Sequence, residues 1–420
     1  MRRIIPKTMT DYIIMTGLAM IMLGGTTLGC TAALPTATPS TVSEQPTISS
    51  TPRVDPPAPT VTPRDERPVG TPGSIPKYTV EKVLEGLDHP WDIVMLQDGS
   101  FVFSERGNKI TYVAAGTRYA LNAPEDTYVR GEGGMLGLAL DPEFSNNHYL
   151  YACFNSKVGS RLDIRVIRWI FNIDKMALQD RVDIITGLPS NPSGRHSGCQ
   201  LEFGPDGYLW VGTGDTADGT AAQDPQNLGG KVLRVDREGA PAPGNLEEPF
   251  DPRVFRYGHR NVQGLGFFDP AKRSNLIGIS IEQGSNRDDE VNQLLPGNFG
   301  WNPVPGYNEA VEMTDLIKYP DASQAIWSSG FPTLATSGGT IIQGAQWGAW
   351  DQAVAVAVQK ATQVFILELR DDLSISRETH ILQGEYGRIR TIQQGTDGNL
   401  YILTDNGEQN DKIIKITPIR

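Results

Sequence analysis

The chain has 420 residues, of which 39% are hydrophobic and 20% charged, and its formal net charge is -12. Once its N-terminal 75 residues are set aside, this composition is typical of a soluble globular protein with one large folded unit. The negative charge and the absence of any basic run argue against a nucleic-acid-binding protein and favour a small-molecule partner.

The N-terminal segment, residues 1–30, has the pattern of an export signal. Basic residues precede an apolar run over residues 12–25, and small residues lead to Cys30. The apolar run is short for a membrane span, and this order of zones is typical of secretory signals. Gly29-Cys30 resembles a bacterial lipobox, although Thr27 stands where Leu is usual. We therefore predict a lipid anchor at Cys30, with ordinary cleavage or an uncleaved anchor as the alternatives.

Residues 31–75 are dominated by Thr, Pro, Ser and Ala and offer almost no aromatic or large aliphatic side chain to bury. Such a segment cannot offset its ordering entropy, so it predicts a disordered tether. The folded domain is expected over residues 76–420. Together these segments predict an exported protein, at the cell surface or in the periplasm, that contacts the membrane only through its lipid.

The domain contains two cysteines, Cys153 and Cys199. Two cysteines in an exported domain of this size do not make a disulfide framework. Two free thiols are one expectation, and the pairing stays open.

Three segments share an Asp-Gly turn that is followed, after one variable residue, by a run of strand-forming residues. They begin at Asp98, Asp206 and Asp397. An Asp-Gly turn before such a run indicates a hairpin, and helical periodicity is weak throughout. The first two turns are 108 residues apart and the last two 191 residues apart. These separations correspond to two units and to between three and four units of roughly 50 to 57 residues, which is the size of a propeller blade. We therefore predict an all-β fold, a six-bladed β-propeller, with its site in loops on one face.

His196 is the one histidine whose surroundings suggest a general base. It lies in a Gly-rich loop before a short strand, and Asp215 follows the next strand. A lone histidine in a β domain is more often structural. An aspartate bound to one ring nitrogen would, however, fix the tautomer and raise the basicity of the other.

Arg388 and Arg390 precede the last Asp-Gly turn. A spacing of two in a strand places both guanidinium groups on one face, where they repel each other unless an anion lies between them. The pair predicts either a solvated face or a site for a carboxylate or phosphate. Further candidates for such a site are Arg260, Asn261 and Lys360.

Residues 281–301 combine oxygen-rich side chains with Gly-containing turns. Calcium takes many oxygen ligands, including backbone carbonyls of irregular loops, so this segment suits a calcium site. No frame in it has the EF-hand spacing. A solvated acidic loop is the alternative interpretation.

Seven segments of the domain form a recognisable series. They are HPWDIVMLQDGSFVFSE at 89–105, GEGGMLGLALDPEF at 131–144, HSGCQLEFGPDGYLWVGTGD at 196–215, GKVLR at 230–234, YGHRNVQGL at 257–265, the segment 282–301 and GRIR at 387–390. In this order they resemble the PQQ-dependent soluble glucose dehydrogenase and aldose sugar dehydrogenase family. The resemblance covers essentially the whole domain. It implies a six-bladed propeller that binds pyrroloquinoline quinone (PQQ) and calcium and oxidises the anomeric carbon of an aldose to a lactone.

The resemblance also implies a role for individual residues. The implied catalytic residues are His196, Asp215 and Arg260. Those implied to bind PQQ are Arg260, Asn261, Gln283, Lys360, Arg388 and Arg390. Calcium would be ligated by the carbonyls of Gly284 and Ser285, and a second, structural calcium by Glu290 and the carbonyl of Phe299. His196 would take the hydroxyl proton while hydride leaves for the quinone, Arg260 would stabilise the oxyanion, and an external acceptor would reoxidise the cofactor.

The chain departs from the family pattern on the side where the sugar binds. Arg195 stands where the glucose enzyme has an acidic residue, and Glu132 replaces a glutamine; both are predicted substrate contacts. Ser328 and Phe331 occupy positions that are aromatic in the glucose enzyme. The identity of the sugar is therefore open.

Two other functions compete with this interpretation. One is a non-catalytic propeller that binds glycans or a protein partner, for which a base combined with anion-binding arginines would be unnecessary. The other is a calcium-dependent lactonase, which would leave the paired arginines unexplained.

Overall fold

The computed structural model describes residues 74–274 and 277–419. The predicted export signal and nearly all of the predicted tether lie outside the described residues. Within these residues no helix is both long and apolar enough to cross a membrane.

Nearly all regular structure in the described residues is β, arranged in six sheets. Blade 1 contains β2 (Pro90–Met95), β3 (Phe101–Glu105), β4 (Lys109–Ala114) and β5 (Thr117–Leu121). Blade 2 contains β6 (Met135–Leu140), β7 (Tyr149–Val158), β8 (Arg161–Asn172) and β9 (Ala177–Leu188). Blade 3 contains β10 (Gln200–Phe203), β11 (Leu209–Gly212), β12 (Lys231–Val235), β13 (Val254–Tyr257) and the added strand β17 (Gly297–Asn298).

The other three blades follow the same order from the inside outward. Blade 4 contains β14 (Val262–Phe267), β15 (Gly278–Glu282), β16 (Glu290–Gln293) and β18 (Trp327–Ser328). Blade 5 contains β19 (Thr336–Ile341), β20 (Val354–Val358), β21 (Gln363–Leu369) and β22 (Ile375–Ile381). Blade 6 contains β23 (Ile389–Gln394), β24 (Leu400–Thr404), β25 (Asp411–Pro418) and β1 (Tyr78–Leu87). The short helices are α1 (Phe144–Asn147) and a 3-10 helix (Ala345–Trp350).

The six sheets form a closed ring. The first strand of each blade lies innermost, and these strands contact one another in the cyclic order β2, β6, β10, β14, β19, β23 and again β2. The N-terminal strand β1 completes blade 6 by pairing antiparallel with β25, with Tyr78 opposite Pro418. The predicted all-β, six-bladed propeller is confirmed.

The three Asp-Gly turns connect the first and second strands of blades 1, 3 and 6. In each turn the aspartate Oδ1 accepts a hydrogen bond from the backbone N–H two residues later, at 2.9, 3.2 and 3.1 Å. The glycines have φ values of 83°, 77° and 76°, a region that favours glycine. The sequence motif therefore marks the same position in each of these blades.

Apolar side chains pack between neighbouring blades, and a disulfide adds a covalent link between two of them. One cluster joins Leu136 of blade 2 to Leu201 and Val211 of blade 3. Within it Cys153, on β7, is bonded to Cys199, in the loop before β10. The expectation of two free thiols is wrong, because the ring brings together residues that lie 46 positions apart.

Candidate active site

The loop before β10 and the residue after β11 place His196 beside Asp215, as the sequence predicted. His196 Nδ1 lies 2.8 Å from Asp215 Oδ1, and the two side chains are almost completely buried. An ionised carboxylate only accepts hydrogen bonds, so Nδ1 donates and Nε2 keeps a lone pair in the neutral ring. The ring therefore presents Nε2 as its basic nitrogen.

Two glycines allow this loop to approach the strand end closely. A Cβ on Gly214 would lie 1.9 Å from the carbonyl oxygen of His196, and one on Gly198 would lie 2.4 Å from the nitrogen of Gly214. Gly198 also has a φ of 54°. Larger residues at these positions would displace the histidine from its aspartate.

Two aromatic side chains complete the surroundings of Asp215. Trp301 Nε1 donates to Asp215 Oδ2 at 2.7 Å, and the Tyr307 hydroxyl donates to the same oxygen at 2.6 Å. The Tyr307 oxygen is also 3.1 Å from His196 Nδ1. Burial and the negative charge of Asp215 raise the pKa of Tyr307, so its hydroxyl remains a donor. Neither aromatic residue was predicted from the sequence, although Trp301 ends the Gly-rich segment 281–301.

A pair of opposite charges lies on the Nε2 side of His196. Arg195 Nη2 is 3.5 Å from Nε2, and since guanidinium groups only donate, this contact agrees with a lone pair on Nε2. Glu309 Oε1 accepts a hydrogen bond from Arg195 and one of 3.2 Å from Arg260 Nη2. The Arg195 and Glu309 side chains are 43% and 35% exposed, so this pair lies at the mouth of the site. Sequence reasoning missed Glu309.

Arg260 is held by a buried network behind it. Glu282 Oε2 accepts the backbone N–H of Arg260 at 2.7 Å, and its Oε1 is 2.6 Å from His259 Nδ1. Arg256 Nε donates to His259 Nε2 at 2.8 Å, which makes Nδ1 the donor to Glu282. Burial lowers the pKa of His259, in agreement with a neutral ring. His259 is therefore a structural residue that helps to fix Arg260.

A cavity of about 330 Å³ adjoins these residues at the ends where the innermost strands begin. The residues that line it are Trp91, Arg106, Glu132, Gln263, Gln283, Ala335, Gln359, Lys360, Arg388, Arg390 and Asp405. It therefore brings together four of the predicted cofactor residues from blades 4, 5 and 6, namely Gln283, Lys360, Arg388 and Arg390. Its volume lies at the lower end of the range for small-molecule sites.

The two predicted anion-binding arginines differ in environment. Arg390 is buried, donates to Gln263 Oε1 at 2.8 Å and stacks with its Cζ 3.3 Å from the ring centre of Trp91. Burial lowers its pKa to about 9. Arg388 is 46% exposed and donates to Gln359 Oε1. A bound anion would offset the desolvation of Arg390 and its repulsion by Arg106, which lines the same cavity.

Several buried donors around this cavity have no partner among the described residues. They are Trp91 Nε1, Arg260 Nε, Asn261 Nδ2 and Arg390 Nε. Unpaired buried donors are costly, so their concentration here indicates a ligand rich in acceptor oxygens. Asn261 uses its Oδ1 to accept Gly198 N–H at 3.0 Å and so also holds the histidine loop. A compact tricarboxylate such as PQQ has the acceptors that this set of donors lacks.

The predicted calcium loop is a tight turn closed by a buried carboxylate. Asp289 Oδ1 accepts Gly284 N–H at 3.0 Å and Thr333 Oγ1 at 2.8 Å. A Cβ on Gly284 would lie 2.0 Å from the carbonyl oxygen of Arg287. The carbonyls of Gly284 and Ser285 accept no hydrogen bond within the described residues, so they are available as ligands for a hard cation.

The predicted second calcium position contains a buried carboxylate pair. Burial and the nearby Glu282 raise the pKa of Glu290 well above its usual range. Glu290 accepts a hydrogen bond of 3.1 Å from Asn292, and the Phe299 ring stacks on His259. Across residues 74–274 and 277–419, no group of three or more His, Cys, Asp or Glu side chains is arranged to hold a metal ion.

Glu132, the other predicted substrate residue, lines the cavity and contacts the histidine loop. Glu132 Oε2 accepts the backbone N–H of His196 at 3.0 Å, so part of its carboxylate is used to hold the loop. Ser328 is not among the residues that line the cavity, and its hydroxyl donates to Asp288 Oδ1 at 3.2 Å. Phe331 is 78% exposed. Arg195 is therefore the predicted substrate residue that is nearest to Nε2.

Comparison with known proteins gives a consistent family. Residues 87–415 match the family model described as Glucose / Sorbosone dehydrogenase. The PQQ-bound form of an aldose sugar dehydrogenase from Streptomyces coelicolor superposes with a TM-score of 0.67 and 30% identity, covering 82% of this chain and 99% of that one. Aldose sugar dehydrogenase YliI of Escherichia coli (strain K12) is 26% identical over 81% of this chain and 92% of its own length. Quinoprotein glucose dehydrogenase B of Acinetobacter calcoaceticus is 27% identical over 54% of this chain and 53% of its own. The chain belongs to the glucose/sorbosone dehydrogenase family.

Proposed function

We propose that this sugar dehydrogenase oxidises the C1 hydroxyl of an aldose to the lactone, transfers hydride to PQQ and passes the electrons to an external acceptor. The observation that carries the proposal is the position of His196. Its Nδ1 is bound to Asp215, which leaves Nε2 as the basic nitrogen, and its backbone N–H is bound to Glu132, which lines a cationic cavity with unpaired donors. A base next to an anion-binding cavity is what an aldose dehydrogenase with an acidic cofactor requires.

His196 receives the proton of the C1 hydroxyl at Nε2. Asp215 then stabilises the imidazolium that forms, because it already accepts the hydrogen bond from Nδ1. Trp301 and Tyr307 donate hydrogen bonds to the other oxygen of Asp215 and so fix the orientation of its carboxylate. The C–H bond at C1 breaks with its electron pair, and the C1 oxygen becomes the lactone carbonyl.

Arg260 stabilises the negative charge that develops on the C1 oxygen. Its backbone N–H is fixed by Glu282, and its Nη1 donates to the carbonyl of Gln283 at 3.0 Å. A donor that is held in place before the reaction needs little reorganisation in the transition state.

The residues that would hold PQQ are Asn261, Gln283, Lys360, Arg388 and Arg390 together with Arg260. The chemistry that bound PQQ supplies is that of a two-electron acceptor for the hydride of C1. The carbonyls of Gly284 and Ser285 would hold a calcium ion that acts as a Lewis acid on the quinone. Glu290 and the Phe299 carbonyl would hold a second, structural calcium ion, which would offset the raised pKa of Glu290.

Aldose-dependent dye reduction by the purified protein tests this function. PQQ and calcium are added together, and each is then omitted in turn. We expect turnover only when both are present. PQQ binding without turnover of any aldose in a broad panel would contradict the assigned reaction. A protein that does not bind PQQ would contradict the cofactor and favour a non-catalytic module that binds glycans or a protein.

We also propose that residues 1–30 export the chain and that residues 31–75 tether residues 76–420 to a lipid at Cys30. The basis is the sequence pattern alone. A Cys30→Ser variant should shift the protein from the detergent-extracted membrane fraction to the soluble fraction. An unchanged membrane fraction would contradict lipidation at Cys30.

A further inference from the structure

The Nε2 side of His196 carries a feature that the proton transfer does not use. Arg195 and Glu309 form an ion pair there, with Arg195 Nη2 3.5 Å from Nε2. The reacting hydroxyl has to lie within hydrogen-bond distance of the same nitrogen. A bound sugar must therefore pass close to this ion pair.

Glu309 belongs to an irregular segment, but its backbone is fixed. Its carbonyl oxygen accepts the Ser285 hydroxyl at 2.6 Å and the Asn286 N–H at 3.4 Å. These bonds attach Glu309 to the turn that contains Gly284. The position of its side chain therefore depends on the same turn that lies beside the predicted cofactor.

One oxygen of Glu309 remains available to a ligand. Both Arg195 and Arg260 donate to Oε1, whereas Oε2 accepts no hydrogen bond within the described residues. Although burial opposes ionisation, Arg260 and Arg195 hold the pKa of Glu309 below its usual range. The carboxylate is thus anionic, partly accessible and has a free acceptor.

The pair offers a donor and an acceptor side by side. A sugar hydroxyl can accept from a guanidinium group and donate to a carboxylate at the same time. When C1–OH lies at Nε2, the hydroxyl on C2 is the neighbouring polar group of the sugar. The ring oxygen on the other side of C1 can only accept, so it cannot satisfy the carboxylate.

We propose that Arg195 and Glu309 together recognise the C2 hydroxyl of the aldose and so select sugars in which that hydroxyl is present and unsubstituted. This inference rests on the proposed function. It also explains how the site has a carboxylate near the base although the residue before His196 is an arginine: the acidic group comes from a separate segment of the chain.

The test compares an aldose that the wild-type protein oxidises with its 2-deoxy analogue. Hydrogen bonds to charged groups are worth enough for a discrimination of about ten- to a hundredfold in kcat/KM. We expect this ratio in the wild-type protein and a ratio close to one in Glu309→Gln and Arg195→Gln. Because the two side chains act as a pair, the double variant should lose no further discrimination.

Glu312→Gln is the matched control. Glu312 lies three residues further along the same segment, is 68% exposed and forms an ion pair with Arg287 at 3.5 Å. It should keep the wild-type ratio. PQQ affinity is measured by titration of the protein without sugar. Arg195→Gln should keep the wild-type affinity, because it leaves the contact between Glu309 and the predicted cofactor residue Arg260 intact.

The outcomes separate this inference from the proposed function. Two outcomes would overturn only the proposed recognition of the C2 hydroxyl. One is a wild-type protein that oxidises aldoses without preferring the parent sugar over its 2-deoxy analogue, and the other is a Glu309→Gln variant that keeps this preference. A wild-type protein that binds PQQ but oxidises no aldose would overturn the proposed function, and the recognition of C2 with it.

Discussion

The two ends of the central channel each contain a cavity, and the larger cavity is not the candidate site. At the ends of the innermost strands opposite the histidine, a cavity of about 560 Å³ is lined by Glu202, Asp269, several glutamines and apolar side chains. The cavity of about 330 Å³ at the other end is lined by three arginines and a lysine, and four unpaired donors lie in or next to it. Unsatisfied polar groups and concentrated charge therefore mark the site better than volume does.

The two cavities also differ in how their ionisable groups respond to burial. Desolvation and the nearby Asp92 raise the pKa of Glu202 to about 8, so this carboxyl is largely protonated at neutral pH. Arg390 remains a cation at neutral pH, because its pKa falls only to about 9. The described residues that line one end of the channel thus include no Lys or Arg, while the other end is cationic and suited to an anion.

The largest expected effect is at the histidine. His196→Ala should lower kcat by about a hundred- to ten-thousandfold, the usual contribution of general base catalysis. PQQ affinity should change much less than kcat, because the cationic donors of the cofactor cavity, Lys360, Arg388 and Arg390, remain in place. Steady-state dye reduction and PQQ titration measure the two quantities. His380→Ala, at a half-exposed histidine on β22, should behave as wild type, and comparable turnover in His196→Ala would contradict the assignment.

The disulfide behind the histidine loop should contribute to stability at the site end. It closes a loop of 46 positions, so replacing both Cys153 and Cys199 by Ala should lower the free energy of unfolding by about 2–4 kcal/mol. Denaturant unfolding with and without reductant measures this difference. The wild-type protein should lose stability on reduction, whereas the double variant should not respond. A reductant-independent wild-type curve would show that the bond adds no stability.

Arg390→Gln tests the cationic end directly. Loss of one charged donor should weaken PQQ binding by about ten- to a hundredfold, with a smaller change in kcat at saturating PQQ. Arg118→Gln, at an exposed arginine that bonds to the carbonyl of Glu85, is the matched control. Equal PQQ affinity in both variants would remove Arg390 from the cofactor site.

The smallest effect is expected at the opposite cavity. The pKa of Glu202 is about 8 in the folded protein, against an ordinary value of 4.5. Its contribution to stability is therefore fully present below about pH 4.5 and is lost as the pH rises towards 8. Glu202→Gln cannot titrate, so its free energy of unfolding should fall less than that of the wild-type protein between pH 5 and pH 9. PQQ affinity and kcat should not change, and a change in either would mean that the two ends are coupled.

The sequence predicts those features that local chemistry determines. Each Asp-Gly turn encodes a hairpin by itself, and the spacing of the three turns together with the length of the domain predicted six blades. The pairing of His196 with Asp215 followed from the family resemblance and from the short hairpin between them. Trp301, Tyr307 and Glu309 were not predicted, because an irregular segment has no periodicity that shows where it will lie. The partner of Cys153 depended on the curvature of the ring, which no local pattern records.

The pairing of β1 with β25 has a consequence for how the protein is made. Tyr78 is among the first residues of the domain to leave the ribosome, and its partner Pro418 is among the last. Contacts between residues so far apart in sequence form slowly, because a long chain must first be brought together. A nascent chain can thus assemble blades 1 to 5 in turn, but blade 6 stays incomplete until β25 has been synthesised. Pairing of β25 with β1 is then the event that closes the ring.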